Sequence, residues 1–149
     1  MEKSLAKNKK AYHDYFIEKE YEAGIILTGD EVKSTKNSGT NLKGSYLEIV
    51  NEEAFIRELH ISKYKQSSNK IYDPTRKRKI LLHKKEIQKI ELDLQKEGLT
   101  AIPLELYLKK GKIKAKIGLC KGKKQYDKRA DLKKKTEKRE IDKIIKNYK

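Results

Sequence analysis

Alternation of apolar and polar positions dominates the middle of the chain. Leu104, Leu106 and Leu108 alternate with Glu105, Tyr107 and Lys109, and Ile113, Ala115, Ile117 and Leu119 alternate with Lys114, Lys116 and Gly118. A period of two predicts strands, and Lys110-Gly111 between the runs supplies the turn of a hairpin. A second hairpin is expected from Tyr46 to Val50 and from Ala54 to Ile61, joined by the polar Asn51, Glu52 and Glu53. The run Tyr12 to Leu27, carrying Tyr15, Phe16, Ile17, Tyr21, Ile25, Ile26 and Leu27, reads as one long or bent strand with a bulge or kink at Gly24.

Two helices interrupt these strands. Gly29-Asp30-Glu31 before Val32 places acidic residues at a helix start, with an end near Asn37 to Gly39. Ile87, Ile90 and Leu94 fall at helical spacing and Gly98 stops them. Between the second hairpin and this helix runs Ser62 to Arg78, polar, basic and containing Pro74, long enough for a functional loop.

The pattern changes at Lys121. The last 29 residues hold 13 Lys and Arg against 5 Asp and Glu, a net +8 out of +16 for the 149-residue chain. Ile141, Ile144, Ile145 and Tyr148 fall at i, i+3, i+4 and i+7, yet Lys121 to Glu140 offers only Tyr126, Ala130 and Leu132 as apolar residues. The expectation is a domain over residues 1–120 and a basic tail over 121–149, disordered when free and helical once phosphate neutralises it. A solvated charge run without function is the alternative.

Charge then narrows the partners. The chain has 38 Lys and Arg against 22 Asp and Glu, an excess that favours a polyanion through steering and counterion release and works against self-association, so a monomer is expected. No run approaches the roughly 20 apolar residues of a membrane span, and Met1 to Lys10 lacks the apolar core of a signal peptide, which points to the cytoplasm and away from membranes. Nine tyrosines, two phenylalanines and no tryptophan are present. Tyr12, Tyr64, Tyr72 and Tyr126 sit among lysines, an interleaving suited to stacking on single-stranded or looped RNA. Tyr21, Tyr46 and Tyr107, in strand patterns, are expected in the core or on the sheet face.

No catalytic constellation emerges. His13, His60 and His83 share no metal-ligand spacing, and neither a Walker loop nor a GxGxxG is present. Two histidines brought together by folding would leave room for a metal-free ribonuclease, but the reading is a non-enzyme with no cofactor and no metal. The single cysteine, Cys120, ends an alternating run and reads as a small packing residue.

Six ordered segments carry a resemblance. They are Asn8-Lys9-Lys10-Ala11-Tyr12-His13-Asp14-Tyr15-Phe16-Ile17; Tyr21-Glu22-Ala23-Gly24-Ile25; Gly29 with Glu31-Val32-Lys33-Ser34; Asp73-Pro74-Thr75-Arg76 with Arg78-Lys79-Ile80-Leu81-Leu82; Pro103-Leu104-Glu105-Leu106-Tyr107; and Gly122-Lys123-Lys124-Gln125-Tyr126-Asp127-Lys128-Arg129. Together they resemble the small protein B (SmpB) family, which binds transfer-messenger RNA (tmRNA, also SsrA). Cys120, Gly44 and Thr35-Lys36 depart from residues usual in that family.

The resemblance implies a mainly β fold with flanking helices, an antiparallel OB-like β-barrel. It implies binding to the tRNA-like domain of tmRNA and delivery to the A site of stalled ribosomes, where the protein mimics the anticodon arm and the nascent chain is tagged for degradation. Alanyl-tRNA synthetase and elongation factor Tu are implied as indirect partners through tmRNA. By motif, Asn8, Tyr15, Glu22, Leu81 and Lys114 match the tmRNA face, and Lys121, Gly122, Lys123 and Lys124 the basic junction. Tyr126, Asp127, Lys128 and Arg129 match the tail segment at the decoding centre, and Ile144, Ile145 and Lys146 the distal segment in the mRNA channel. Without the resemblance, Glu22 and Leu81 read as structural. A different OB-fold protein, associated with ribosomes or with single-stranded RNA but acting without tmRNA, is the competing function.

Overall fold

The computed structural model describes residues 2–67, 71–96 and 98–123. The elements are β1 (Lys3–Lys7), α1 (Lys9–Asp14), β2 (Tyr15–Ile25), α2 (Gly29–Lys36), β3 (Thr40–Asn41), β4 (Tyr46–Val50), β5 (Glu53–Arg57), β6 (His60–Ile61), β7 (Arg78–Leu81), α3 (Lys84–Leu94), β8 (Leu99–Lys109) and β9 (Lys112–Gly122). Seven strands form one antiparallel sheet in the order β1-β8-β9-β2-β7-β5-β4, and β3 pairs with β6 in a separate two-stranded ribbon.

The strongest alternation produces the longest hairpin, β8 against β9, with Leu106 opposite Ala115 and Leu108 opposite Ile113. Its turn places Lys110 at φ 51° and Gly111 at φ 77°, the left-handed geometry that two-residue hairpin turns require. The inner face gathers Ala23, Ile56, Ile80, Leu106, Ala115 and Ile117 into the main core, which α3 closes with Ile87 and Ile90. Ile90 is fully buried, and such a side chain contributes about 1.5–3 kcal/mol relative to exposure.

Three bulges interrupt the sheet, one at Leu5 in β1 and two in the long strands. One extra residue, Glu18, interrupts the β2–β9 register between Ile17 and Lys19, and Leu104 does the same in β8 between Pro103 and Glu105. Pro103, which lacks an N–H, is tolerated in this interior strand because it abuts a bulge. Leu104 turns onto the outer face, where Ala11, Ile102 and Cys120 join it in a small second core, with Tyr12, Tyr15 and Ile17 packed against them. A Cβ on Gly118 would lie 2.5 Å from Leu104 Cδ1, so this packing needs glycine there.

Several expectations are corrected. Tyr12 to Asp14 belong to a helix, because Asn8 caps α1 by accepting from the Ala11 N–H at 3.1 Å; the strand starts only at Tyr15. Its irregularity is the Glu18 bulge, whereas Gly24 stays in register between Leu81 and Lys114. The run from Ala54 to Ile61 is broken at Glu58, φ 60°, which separates β5 from β6. The mainly antiparallel β fold with helices stands as expected; β4 lies against β8, but β4 and β1 remain edges without a shared ladder, so the sheet is not closed.

The helix expected at Gly29 starts on Thr28, whose side chain accepts from the Glu31 N–H at 3.2 Å while Glu31 accepts from the Thr28 N–H at 2.9 Å. No helix among the described residues is long and apolar enough to cross a membrane.

Candidate nucleic-acid interface

Strand register determines which predicted site residues meet. Gly24 lies opposite Leu81 on one side and Lys114 on the other, and Lys114 lies opposite Tyr107. Directly opposed residues share a face, so Leu81, Gly24, Lys114 and Tyr107 form one row across β7, β2, β9 and β8 on the outer surface. Glu22 belongs to the adjoining row, opposite Lys116. Of the sequence-stated residues, Glu22, Leu81 and Lys114 are thereby brought together from three strands.

Leu81 is 57% exposed, and a Cβ at position 24 would lie 3.5 Å from it, so glycine leaves a shallow notch beside an apolar side chain. The Glu22 carboxylate accepts from the Tyr107 hydroxyl at 2.6 Å and from Lys109 Nζ at 3.1 Å. These two donors, the hydroxyl first, hold its carboxyl below the usual range. Burial, with Glu22 second, raises the Tyr107 hydroxyl well above its ordinary value. Tyr107 is therefore a buried, hydrogen-bonded strut, as expected of a strand tyrosine.

A second group stands at the opposite end of the β2–β9 ribbon. Tyr15 pairs with Gly122 and Phe16 with Lys121. The Lys123 N–H donates to the Asp14 carbonyl at 2.9 Å, and its ammonium lies 5.0 Å from the centre of the Phe16 ring. From Tyr15 to Gly24 the strand spans roughly 25–30 Å at about 3.3 Å per residue, so the two groups are far apart. Asn8 belongs to this end but is buried: beyond capping α1 it donates to the Leu42 carbonyl at 3.2 Å and to the Pro103 carbonyl at 3.1 Å. It ties α1 to β8 and to the turn that precedes β4. Lys124, Tyr126, Asp127, Lys128, Arg129, Ile144, Ile145 and Lys146 lie outside the described residues, as does the tail helix expected over them.

Cys120 and Tyr46 take the packing and sheet-face places expected of them, and Tyr72 does not take the one expected of it. Tyr46, expected in the core or on the sheet face, is 41% exposed at the start of edge strand β4. Tyr72, grouped with the stacking tyrosines, instead donates to the Ile61 carbonyl at 2.8 Å and accepts from Arg78 Nη2 at 3.1 Å. Cys120 is fully buried and burial pushes its thiol up to about 11, the opposite of an activated nucleophile.

Sequence reasoning missed one polar centre altogether. Glu31 is 1% exposed and accepts from Arg78 Nε at 2.8 Å, from Arg76 Nε at 3.0 Å and from Arg76 Nη2. Arg78, fully buried, also donates to the carbonyls of Pro74, at 2.9 Å, and Leu59. Burial would raise the Glu31 carboxyl, but Arg76, the Thr28 N–H and Arg78 outweigh it and hold the group at about 2. This clamp joins α2 to β7 and holds Tyr72, Pro74 and Arg76, part of the stretch expected to be long enough for a functional loop. The available signal was the acidic residue three positions after Thr28 together with two arginines spaced by one.

The fold and this surface define a basic β-sheet binding protein whose outer face mixes cations with exposed apolar groups. The family model described as "SmpB protein" matches residues 5–147. A chain named SsrA-binding protein from Clostridium beijerinckii is 50% identical over 145 residues, covering 97% of this chain and 93% of that one. The SsrA-binding protein of Desulfitobacterium hafniense is 51% identical over 140 residues, covering 94% and 90%. A solved chain described under "tmRNA-SmpB: a journey to the center of the bacterial ribosome" superposes with a TM-score of 0.69 at 40% identity, over 80% of this chain and 85% of that one. The chain belongs to the SmpB family.

Proposed function

We propose that this chain binds tmRNA and carries it to stalled ribosomes for trans-translation. The observation that carries this reading is the outer-face row. Three residues matched by motif to the family's tmRNA face, Glu22, Leu81 and Lys114, lie far apart in sequence and are assembled by strand register into one exposed patch. Relatives at about 50% identity named for SsrA binding support the same partner.

In this reading the sheet plays the part of an OB-like barrel, and labour divides along the chain. Residues 1–120 engage the tRNA-like domain, Lys121 to Lys124 neutralise phosphates at the junction, and the tail beyond meets the decoding centre and mRNA channel. Tyr126 would stack there on a ribosomal base, with Lys128 and Arg129 holding the tail to phosphate. The protein acts as a cytoplasmic monomer, and meets alanyl-tRNA synthetase and elongation factor Tu only through tmRNA.

Recovery of the chain from cells followed by sequencing of the bound RNA tests the partner: one dominant tmRNA species is expected, and a broad mixture of RNAs would refute it. Truncation after Gln125 tests the division of labour, with tmRNA binding retained and ribosome-dependent tagging lost.

A further inference from the structure

We propose that the cleft between α1 and the turn entering β4 receives one unpaired nucleotide, its base against Tyr46 and Tyr15 and its phosphate on Lys10 and Lys43. The proposal rests on the RNA-binding reading above and adds the form in which the RNA is held. The cleft measures about 430 Å³, within the roughly 300–1,000 Å³ of small-ligand sites. Ile102 and Thr100 of β8 also line it, Lys10 enters from α1, and Lys43 to Tyr46 form the facing wall.

That wall is built to stay open. Gly44 adopts φ +80°, and nothing stands within 4 Å of where its Cβ would project, so a phosphate can approach the backbone. The turn is held by the Lys43 N–H donating to Asn41 Oδ1 at 2.9 Å, by Ser45 Oγ donating to the Leu42 carbonyl at 2.6 Å, and by the buried Asn8 amide on that same carbonyl. An aromatic ring exposed at such a rim with lysines beside it lets a base stack while its phosphate is neutralised. Inside a duplex both ring faces of a base are covered by its stacked neighbours, so the fitting ligand is a splayed, single-stranded nucleotide.

Charge sets its orientation. Asp14 also lines the cleft, with its carboxylate 2.9 Å from His13 Nδ1, and the cations that line it are Lys10 and Lys43. The basic end of β9 runs alongside, with Gly122 paired to Tyr15 and Lys123 bonded to the Asp14 carbonyl. Lys121, opposite Phe16, and Lys123, over the Phe16 ring, lie on the other face of the ribbon and stay outside the cleft.

The nucleotide belongs either to tmRNA or to ribosomal RNA, and crosslinking separates the two. The full-length chain bearing a photoreactive phenylalanine analogue at position 46 is irradiated with tmRNA alone, and separately with tmRNA on stalled ribosomes. One dominant unpaired nucleotide is expected, in tmRNA in both arms or in ribosomal RNA in the second arm only. Tyr46→Ala should weaken the complex containing that RNA by about 5- to 100-fold at unchanged melting temperature, while Tyr46→Phe retains binding. Absent crosslinks, crosslinks scattered over paired nucleotides, or wild-type affinity in Tyr46→Ala would overturn the cleft. A wild-type chain that ignores tmRNA yet crosslinks one unpaired nucleotide of another RNA would instead keep the cleft and discard the tmRNA reading.

Discussion

Glu22 and Glu31 each stand beside a tyrosine hydroxyl and accept from basic side chains, yet one carboxylate lies open on the outer face and the other is sealed under α2. The difference is solvent. Around Glu31 the carboxylate and Arg78 have traded water for each other, with Arg76 closing the group from its half-buried position, so the buried pair depends on staying together. Around Glu22 the side chain keeps 42% of its exposure, water screens the pair with Lys109, and both groups remain available to a ligand. Similar donor sets thus serve as a clamp in one place and as a recognition surface in the other.

The contrast breaks most visibly at the clamp. Arg78→Ala removes the buried partner of Glu31, leaving Arg76 as its remaining cation, and should cost about 3–5 kcal/mol in chemical denaturation, with RNA binding lost only in proportion to unfolding. A folded, stable Arg78→Ala chain with impaired binding would move Arg78 to the recognition surface.

Acid offers the next largest effect. The folded-state value of Glu31, about 2, lies below the ordinary 4.5, so its contribution is complete above about pH 4.5 and is lost as pH falls toward 2. The gap corresponds to roughly 3 kcal/mol at neutral pH. Stability measured from pH 6 to 2 should fall more steeply in the wild type than in Glu31→Gln, and identical slopes would assign the acid sensitivity to other carboxylates.

On the open face the order of effects reverses. Leu81→Ala should leave stability within about 0.5 kcal/mol, because the side chain is already exposed. If RNA covers it, affinity for tmRNA should drop by about five- to thirtyfold, the equivalent of roughly 1–2 kcal/mol of apolar burial. Lost stability with intact affinity would make Leu81 a structural residue.

What the sequence disclosed followed the strength of local signals. The β8–β9 hairpin was legible because apolar and polar positions alternate on both sides of Lys110-Gly111, and α3 because Ile87 and Ile90 recur at helical spacing. β7 was not, since its four residues turn an arginine inward, Arg78, where a strand pattern calls for an apolar residue. α1 hid within an aromatic-rich run that mimics a strand, and only the capping asparagine marked it. Glu22, Leu81 and Lys114 came from family resemblance alone. Their meeting depends on registers between segments far apart in the chain, Gly24 with Leu81 and Gly24 with Lys114, and no periodicity within one segment encodes those.

The smallest effect is the most diagnostic of the junction. Lys123 follows the last residue of β9, and its backbone N–H secures it to Asp14 whatever its side chain. Its ammonium lies 5.0 Å from the centre of the Phe16 ring, and losing that contact should cost only about 0.5–1 kcal/mol of stability. If that charge neutralises a phosphate, binding releases a counterion there, and log affinity for tmRNA falls with log salt by about 0.7 to 0.9 for this contact. Lys123→Ala should therefore flatten the measured salt slope by somewhat under about one unit, uniformly across RNA sequences. Affinity measured at one salt concentration would miss this, because a small loss there has many causes; the slope counts phosphates. An unchanged slope with a lowered melting temperature would mean that Lys123 serves the Phe16 ring, and the junction would then belong with the Glu31 clamp as structure.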